Sequence, residues 1–371
     1  MANPTAKSPS HQSMVLLSRL LLTPINNEAS SRQLVTALKS DLRKISRDDF
    51  DALVALASSN HVLVRGIDIF LELIRDADDE SRTVWAQTAL TAERDRVSGA
   101  LQFLENICMA FESEKCNVAV IKSLDHWPDL GSDLDLYTNA DSKVVSHLMA
   151  SRFNATVALR SWGDRLAGKW NFLIPGLPEA VEIHVGRLGQ TGEQVTIASQ
   201  LLARSRWLMI GSQCFRVPSA SDRLLISTLQ RMYRHFYFRL CDIVDSAALV
   251  ESGSIDFQDL RSAATNAGIW QGVATYLVIV SDYVSSYRGR GLDLPYFVHA
   301  AARFGGDNVY YAREFLRVPI MPQSATLYKA QLTGMFRKLE LRNGARLSLL
   351  PWLATAAFVG QRITGSDKGI W

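Results

Sequence analysis

Cysteine is scarce in this chain: there are four in 371 residues, Cys108, Cys116, Cys214 and Cys241, with no Cys-x-x-Cys spacing. That pattern points to neither a zinc site nor a disulfide framework, and fits a reduced, cytoplasmic setting. Long apolar runs are lacking too. The longest, Leu347 to Gly360, falls short of the ~17 residues a spanning helix needs and holds Pro351, so no transmembrane segment is expected. The N-terminal stretch makes a poor signal peptide, because Met1 to Gln12 is polar and Ser18 and Arg19 interrupt the apolar piece Met14 to Leu22. Charge of one sign is equally sparse. A formal net charge of +3, with 40 basic residues spread so that no run reaches five, gives no strong nucleic-acid signal. Internal repeats and low-complexity segments are absent, which excludes solenoids and arrays.

What is present is the composition of a globular chain, 47% hydrophobic and 21% charged, long enough for two or three domains with a sizeable core. Residues 1–12 read as a disordered tail and residues 13–112 as a helical region. In the latter, Leu34, Leu38 and Leu42 recur every four positions, and Phe50, Leu53, Val54, Leu56 and Ala57 continue the stripe. Ser46 ahead of Arg47-Asp48-Asp49 is an N-cap with acids in the first turn. Ile67, Phe70, Leu71 and Ile74 form the next stripe, which ends at the acidic Asp76 to Glu80. A long segment from Ser81 to Phe111 follows. Residues 113–217 read as a mixed core: Ser142 to Arg152 is helical, Thr156 to Arg160 and Trp170 to Ile174 are strands, and Pro175-Gly176-Leu177-Pro178 turns into Val181 to Val185. Residues 218–371 return to helical periodicity. A long helix is expected from the cap at Ser219 to about Val250, with Arg231, His235 and Arg239 on one face and Leu225, Leu229, Met232, Phe236, Leu240 and Val244 facing inward. Gly289-Arg290-Gly291 and Gly305-Gly306 divide the remainder into three or more helices.

The stretch Cys116 to Thr138, CNVAVIKSLDHWPDLGSDLDLYT, organises the rest. Val118 to Ile121 is a buried strand by its β-branched content, Lys122 to Ser132 is a loop carrying Pro128 and Gly131, and Asp133 to Tyr137 alternates acidic and apolar. Successive strand side chains point to opposite faces, so Asp133 and Asp135 share one face about 7 Å apart while Leu134 and Leu136 turn to the core. Two carboxylates held side by side repel, and a divalent cation is the usual remedy.

Strand, Gly-Ser turn and Asp-hydrophobic-Asp-hydrophobic resemble the nucleotidyltransferase superfamily of DNA polymerase β, and within it the bacterial uncharacterised nucleotidyltransferase family. Ile121-Lys122-Ser123, Trp127-Pro128 and Gly131-Ser132-Asp133-Leu134-Asp135-Leu136 occupy the places of that family's Leu-Lys-Gly, Tyr-Pro-like turn and Gly-Asp-Ile-Asp-Leu-Leu-Val. Val181-Glu182-Ile183-His184-Val185 stands for its third element, a strand with one more carboxylate followed by histidine. The match runs from Val118 to Val185, with a weaker echo over residues 219–250. One departure is plain: Ser123 stands where the family has glycine after the lysine. The resemblance implies an α+β fold, a polymerase β-like core of a small mixed sheet with helices, flanked by N- and C-terminal helical regions. It also implies that the Glu182 strand meets its neighbours antiparallel, bringing Glu182 beside the aspartates.

The activity implied is transfer of a nucleoside monophosphate from a nucleoside triphosphate, ATP first among them, to an acceptor hydroxyl on an unidentified small molecule or protein. Asp133, Asp135 and Glu182 would be the catalytic groups and the ligands of two Mg²⁺ (or Mn²⁺). Lys122, Ser123, Gly131, Ser132, His184, Arg231, His235 and Arg239 are the candidate nucleotide-binding residues. Each has a plainer reading. Lys122 could be a surface lysine, Ser132 a simple turn, His126 and Trp127 loop packing, His184 a satisfied core histidine, and the arginine stripe solvated with internal Arg–Asp pairs. Two rival functions stay open. A catalytically inactive nucleotide- or partner-binding module of the same fold is favoured by the missing glycine. A toxin-type nucleotidyltransferase acting on tRNA is disfavoured by the lack of a basic, aromatic-interleaved tract. Three carboxylates together favour the enzyme, since clustered acids are costly to keep without a metal.

Overall fold

In the computed structural model, which describes residues 11–23, 29–75 and 79–364, the apolar stripes of the N-terminal region become five helices. These are α1 (His11–Leu22), α2 (Ala29–Leu42), α3 (Arg47–Ser59), α4 (Leu63–Ile74) and the long α5 (Glu80–Ser113). Two residues of the expected tail, His11 and Gln12, thus already belong to α1. The rest of that tail and Asp76 to Asp78 of the acidic stretch lie outside the described residues. Ser46 caps α3 as expected, its Oγ accepting from the Asp49 N–H at 3.1 Å.

The central sheet is built from β1 (Val118–Val120), β2 (Asp133–Thr138), β3 (Thr156–Val157), β4 (Lys169–Leu173) and β5 (Ala180–Val185), in the order β1-β2-β5-β4-β3. Between β2 and β4 lie α6 (Ser142–Phe153) and α7 (Trp162–Ala167). The strand expected at Thr156 to Arg160 is only its first two residues. The expected antiparallel meeting of the Glu182 strand with the aspartate strand is also corrected: β2 and β5 run parallel, with Asp135 opposite Glu182. The reason lies in the connections. The tight turn at Pro175 to Pro178 makes β4 and β5 an antiparallel hairpin, and the long excursion through α6 and α7 provides the crossover length a parallel pair requires.

One face of this sheet, with Leu134, Leu136, Phe172, Val181 and Ile183, packs on Leu101, Leu104, Ile107 and Phe111 of α5 and Val145, Leu148 and Met149 of α6. Each such side chain contributes roughly 1.5–3 kcal/mol by leaving water. The other face carries the polar residues described below.

After β5 come α8 (Val195–Leu201), a hairpin of β6 (Arg206–Ile210) and β7 (Gln213–Val217), and α9 (Ala220–Gln230). The long helix expected up to Val250 is broken. A π-helical turn at Arg231–His235 leads to Phe236 in left-handed backbone (φ 54°), then β8 (Tyr237–Phe238) and a fresh helix α10 (Leu240–Glu251). The aromatic pair Tyr237-Phe238 favours extended backbone. Phe238 pairs with Leu316, and the Asp242 carboxylate accepts from the Arg239 N–H at 2.7 Å to restart the helix. The remaining elements are α11 (Phe257–Asn266), α12 (Trp270–Arg288), α13 (Tyr296–Ala301), β9 (Tyr310–Ala312), β10 (Phe315–Arg317), α14 (Ala325–Arg337), α15 (Leu341–Leu347) and α16 (Leu350–Thr364). Strand β10 joins β8 and β9 in a small sheet. No helix among the described residues is long and apolar enough to cross a membrane.

The loop before β2 is anchored by charge. Asp129, 1% exposed, accepts from the Val64 N–H at 2.5 Å and from Arg65 Nε at 2.7 Å, and Arg65 reaches Asp245 of α10 at 2.5 Å. This buried network ties α4, the motif loop and α10 together. Removing Asp129 leaves the Val64 N–H unanswered and Arg65 with Asp245 alone, so Asp129→Ala is expected to lower unfolding stability by ~1–3 kcal/mol. Urea titration measures it, and a loss below ~1 kcal/mol would show that the network does not hold the loop.

Candidate active site

The sheet's polar face is organised by register. Paired residues on neighbouring strands lie on the same face, so Asp135, Glu182 and Asn171 form one row and Tyr137, His184 and Lys169 the next. Asp133 lies on the same face at the exposed end of β2. The row of acids is met by two ammonium groups. Lys122 Nζ donates to Asp135 at 2.5 Å and to Glu182 at 3.1 Å, and Lys169 Nζ pairs with the other Glu182 oxygen at 2.6 Å. His184 Nε2 lies 2.8 Å from Glu182, while its Nδ1 is buried without a hydrogen-bond partner. Ligand atoms of Asp135, Glu182 and His184 fall within 4.8 Å of one another.

Lys122 is held in place by strained backbone. Its φ of 60° and ψ of −60° make it the centre of a γ-turn closed by the Ser123 N–H on the Ile121 carbonyl at 2.6 Å, a conformation rare for a residue with a side chain. Ser123, 2% exposed, donates its hydroxyl to the Asp133 carbonyl at 3.1 Å and accepts from the Asp135 N–H at 2.8 Å. Its side chain therefore knits the loop to β2. From α5, Arg96 reaches the Leu130 carbonyl at 3.1 Å and fixes the turn at Gly131 and Ser132.

The electrostatics follow from these contacts. Burial pushes the Asp135 carboxyl up, to about 7, with Lys122 opposing and Glu182 adding to the rise. Glu182 is equally buried, yet Lys122 and Lys169 hold it well below the usual carboxylate range. The asymmetry has a geometric cause: Glu182 touches two lysines and a histidine, whereas Asp135 touches one lysine. Burial, then the Lys122 charge, lowers His184 to about 4, so its imidazole is neutral.

Lys122, Ser123, Gly131, Ser132, Asp133, Asp135, Glu182, Arg231, His235 and Arg239 all line one cavity of ≈ 200 Å³. His184 sits behind it, lining a smaller cavity with Lys122. The shared helical face expected of Arg231, His235 and Arg239 does not exist, because the helix breaks at Phe236, but the break brings all three to the cavity wall. Arg231 is 1% exposed and makes an internal pair with Asp242 at 2.7 Å. Arg239 stands over the rings of Tyr237 and Phe315.

No family model and no curated protein matches this sequence. Among solved structures, the chain is similar to the crystal structure of an antigenic nucleotidyltransferase-like protein from Paracoccidioides brasiliensis. The identity is 15%, over 54% of this chain and 96% of that one, with a TM-score of 0.33. So loose a superposition carries no argument, and the reading of the site rests on its own geometry.

Sequence reasoning missed Lys169, Arg234 and His61, which also line the cavity. Lys169 had a signal, since the alternation Lys169-Trp170-Asn171 puts Lys169 and Asn171 on the polar face. Arg234, whose guanidinium makes no hydrogen bond or ion pair with the described residues, and His61, from the helical region, had none.

A carboxyl whose folded pKa lies above its unfolded ~3.9 holds a proton that the unfolded chain has released, so its contribution to stability falls as pH rises from about 4 toward 7. Asp135→Asn removes that loss. In chelator-treated protein the variant's melting temperature should equal or exceed the wild type's, with the gap wider near pH ~8 than near pH ~5. A variant less stable at both pH values would show that Asp135 is held by its Lys122 pair more than it is penalised by burial.

Proposed function

We infer that the chain is a metal-dependent nucleotidyltransferase that moves a nucleoside monophosphate from a nucleoside triphosphate, ATP first among them, to a hydroxyl on a small molecule or protein. The observation that carries this reading is the register that sets Asp135 opposite Glu182, with Asp133 on the same face, beneath a cleft walled by Lys122, Lys169, Arg234, His235 and Arg239. Acids at the base and cations on the walls suit a polyanion that arrives with a divalent cation.

The donor set fits a hard cation: carboxylate oxygens of Asp135 and Glu182 lie within 4.8 Å of each other, and Asp133 stands further along the same face. Mg²⁺ or Mn²⁺ held by Asp133, Asp135 and Glu182 would neutralise triphosphate charge and polarise the α-phosphate. Lys122 now fills that charge gap, and its ammonium, once released from Asp135, is free to pair with a phosphate oxygen. Arg234 and Arg239 present guanidinium groups for the remaining phosphate oxygens. Gly131 and Ser132 give the turn that phosphate can approach closely. In the transfer the acceptor oxygen bonds to the α-phosphorus, and the bond from that phosphorus to the bridging β-phosphate oxygen breaks. Pyrophosphate leaves, and the hydroxyl proton passes to a carboxylate oxygen of the row, for which Asp135, raised by burial, is the better base than Glu182, held low by two lysines.

One observation favours a second reading, a nucleotide-binding module without turnover: Lys122 and Lys169 already neutralise Asp135 and Glu182, so the acids do not require a metal to be tolerated. Labelled ATP and Mg²⁺ incubated with the full chain distinguish the two. The enzyme releases pyrophosphate and labels an acceptor, water or itself. Asp135→Asn then lowers the rate at least about a hundredfold, or ~3 kcal/mol, while ATP affinity falls much less. Lys122→Ala should weaken ATP binding by about tenfold, measured on folded protein, since the change also takes from Asp135 its ammonium partner. Absence of any transfer in the wild type, together with unaltered metal affinity in Asp135→Asn, would hand the site to the binding-module reading.

A further inference from the structure

A second group of metal-ligating side chains converges on the wall of the same cleft, away from the carboxylates. One ligand atom each from His61, His126 and Cys241 lies within 4.8 Å of the others, and His126 Nε2 is 3.8 Å from Cys241 Sγ. We propose that these three residues form a zinc site, a conclusion independent of the nucleotidyl-transfer reading.

The supports around the three residues are those a zinc site needs. Metal-bound histidine usually donates its other ring N–H to a carboxylate, which fixes the tautomer and ring orientation. His126 Nδ1 lies 2.5 Å from Asp245 Oδ2, leaving Nε2 directed at Cys241, and Asp245 is itself held by Arg65 at 2.5 Å. His61 Nδ1 is buried with no hydrogen-bond partner, a state that costs free energy unless a ligand answers it. The backbone at His61 is left-handed, φ 53°, which a residue with a side chain adopts only where its surroundings enforce it. Those surroundings are Asn60. Its side chain is completely buried, donates to the Leu56 and Glu314 carbonyls at 3.0 and 3.1 Å, and accepts from the Leu240 N–H at 3.0 Å. The Asn60 carbonyl also accepts from the Cys241 N–H at 3.3 Å. His61 and Cys241 are therefore locked side by side through one residue. Gly131 closes the set: a Cβ there would come within 3.2 Å of the His61 ring.

The ligand chemistry selects the metal. One thiolate and two imidazoles are the borderline-soft set that takes Zn²⁺ and is poor for Mg²⁺. Binding converts the Cys241 thiol to thiolate, with its proton released to solvent. Because His61 and His126 line the cleft while Cys241 is fully buried, the fourth coordination position faces the cleft. The cation would staple the loop before α4, the turn after Lys122 and the start of α10. Cysteine spacing gave no zinc signal because the two partner ligands are histidines distant in sequence.

The test uses the full chain, loaded with Zn²⁺ and desalted. We expect about one equivalent of zinc by elemental analysis, and a thiolate-to-metal charge-transfer band when Co²⁺ replaces it. Cys241→Ser should abolish that band and weaken zinc binding at least about a hundredfold in competition with a chromophoric chelator, and His61→Ala at least about tenfold. Retained zinc below about a tenth of an equivalent overturns the proposal, as does a charge-transfer band that survives Cys241→Ser. If Cys241→Ser does not fold, His61→Ala decides, and zinc affinity equal to wild type overturns the proposal.

Discussion

The structure turns on two like charges placed opposite each other in a parallel sheet register. Asp135 and Glu182 face each other across β2 and β5 on a buried sheet face, an arrangement that opposes folding unless positive charge meets it. Lys122 supplies that charge to both acids, and its position depends on a strained γ-turn held from the far side by Ser123. The loop carrying this turn is fixed in its turn by Arg96, and by Asp129 with Arg65. Helical regions far apart in sequence thus converge on a few residues of a small sheet.

On the proposed function, that arrangement would make the site an exchange of cations. In the free chain, lysines answer the carboxylates; in the proposed complex with nucleotide, a divalent ion would take that place and Lys122 would turn to phosphate. Arg231 supports the wall through its pair with Asp242, whereas Arg234 has no partner among the described residues and is available to an anion.

The carboxylates were legible in the sequence because strand alternation leaves a fixed mark: Asp133 and Asp135 two apart, and Glu182 and His184 two apart. Strand direction was not legible, because alternation reads the same for parallel and antiparallel pairs, and only the hairpin at Pro175 to Pro178 decides it. The stripe of Arg231, His235 and Arg239 has a helical period, yet Tyr237 and Phe238 overrode it by pairing with β10, a contact distant in sequence. Short strands such as β8 and β10 escape periodicity altogether. His61 shows the limit most clearly. Its helical neighbourhood reads as scaffold, and only the tertiary contact of Asn60 with α10 brings it to Cys241 and the cleft.

The central claim, that nucleotide and divalent cation bind as one unit on the carboxylate row, is tested most directly by the dissociation constant of ATP with excess Mg²⁺ and in a chelator. Cation exchange predicts affinity at least about tenfold tighter with Mg²⁺, and reciprocally tighter Mg²⁺ binding once ATP is present. Equal ATP affinity in both conditions would contradict the account and leave the lysines as the permanent partners of Asp135 and Glu182.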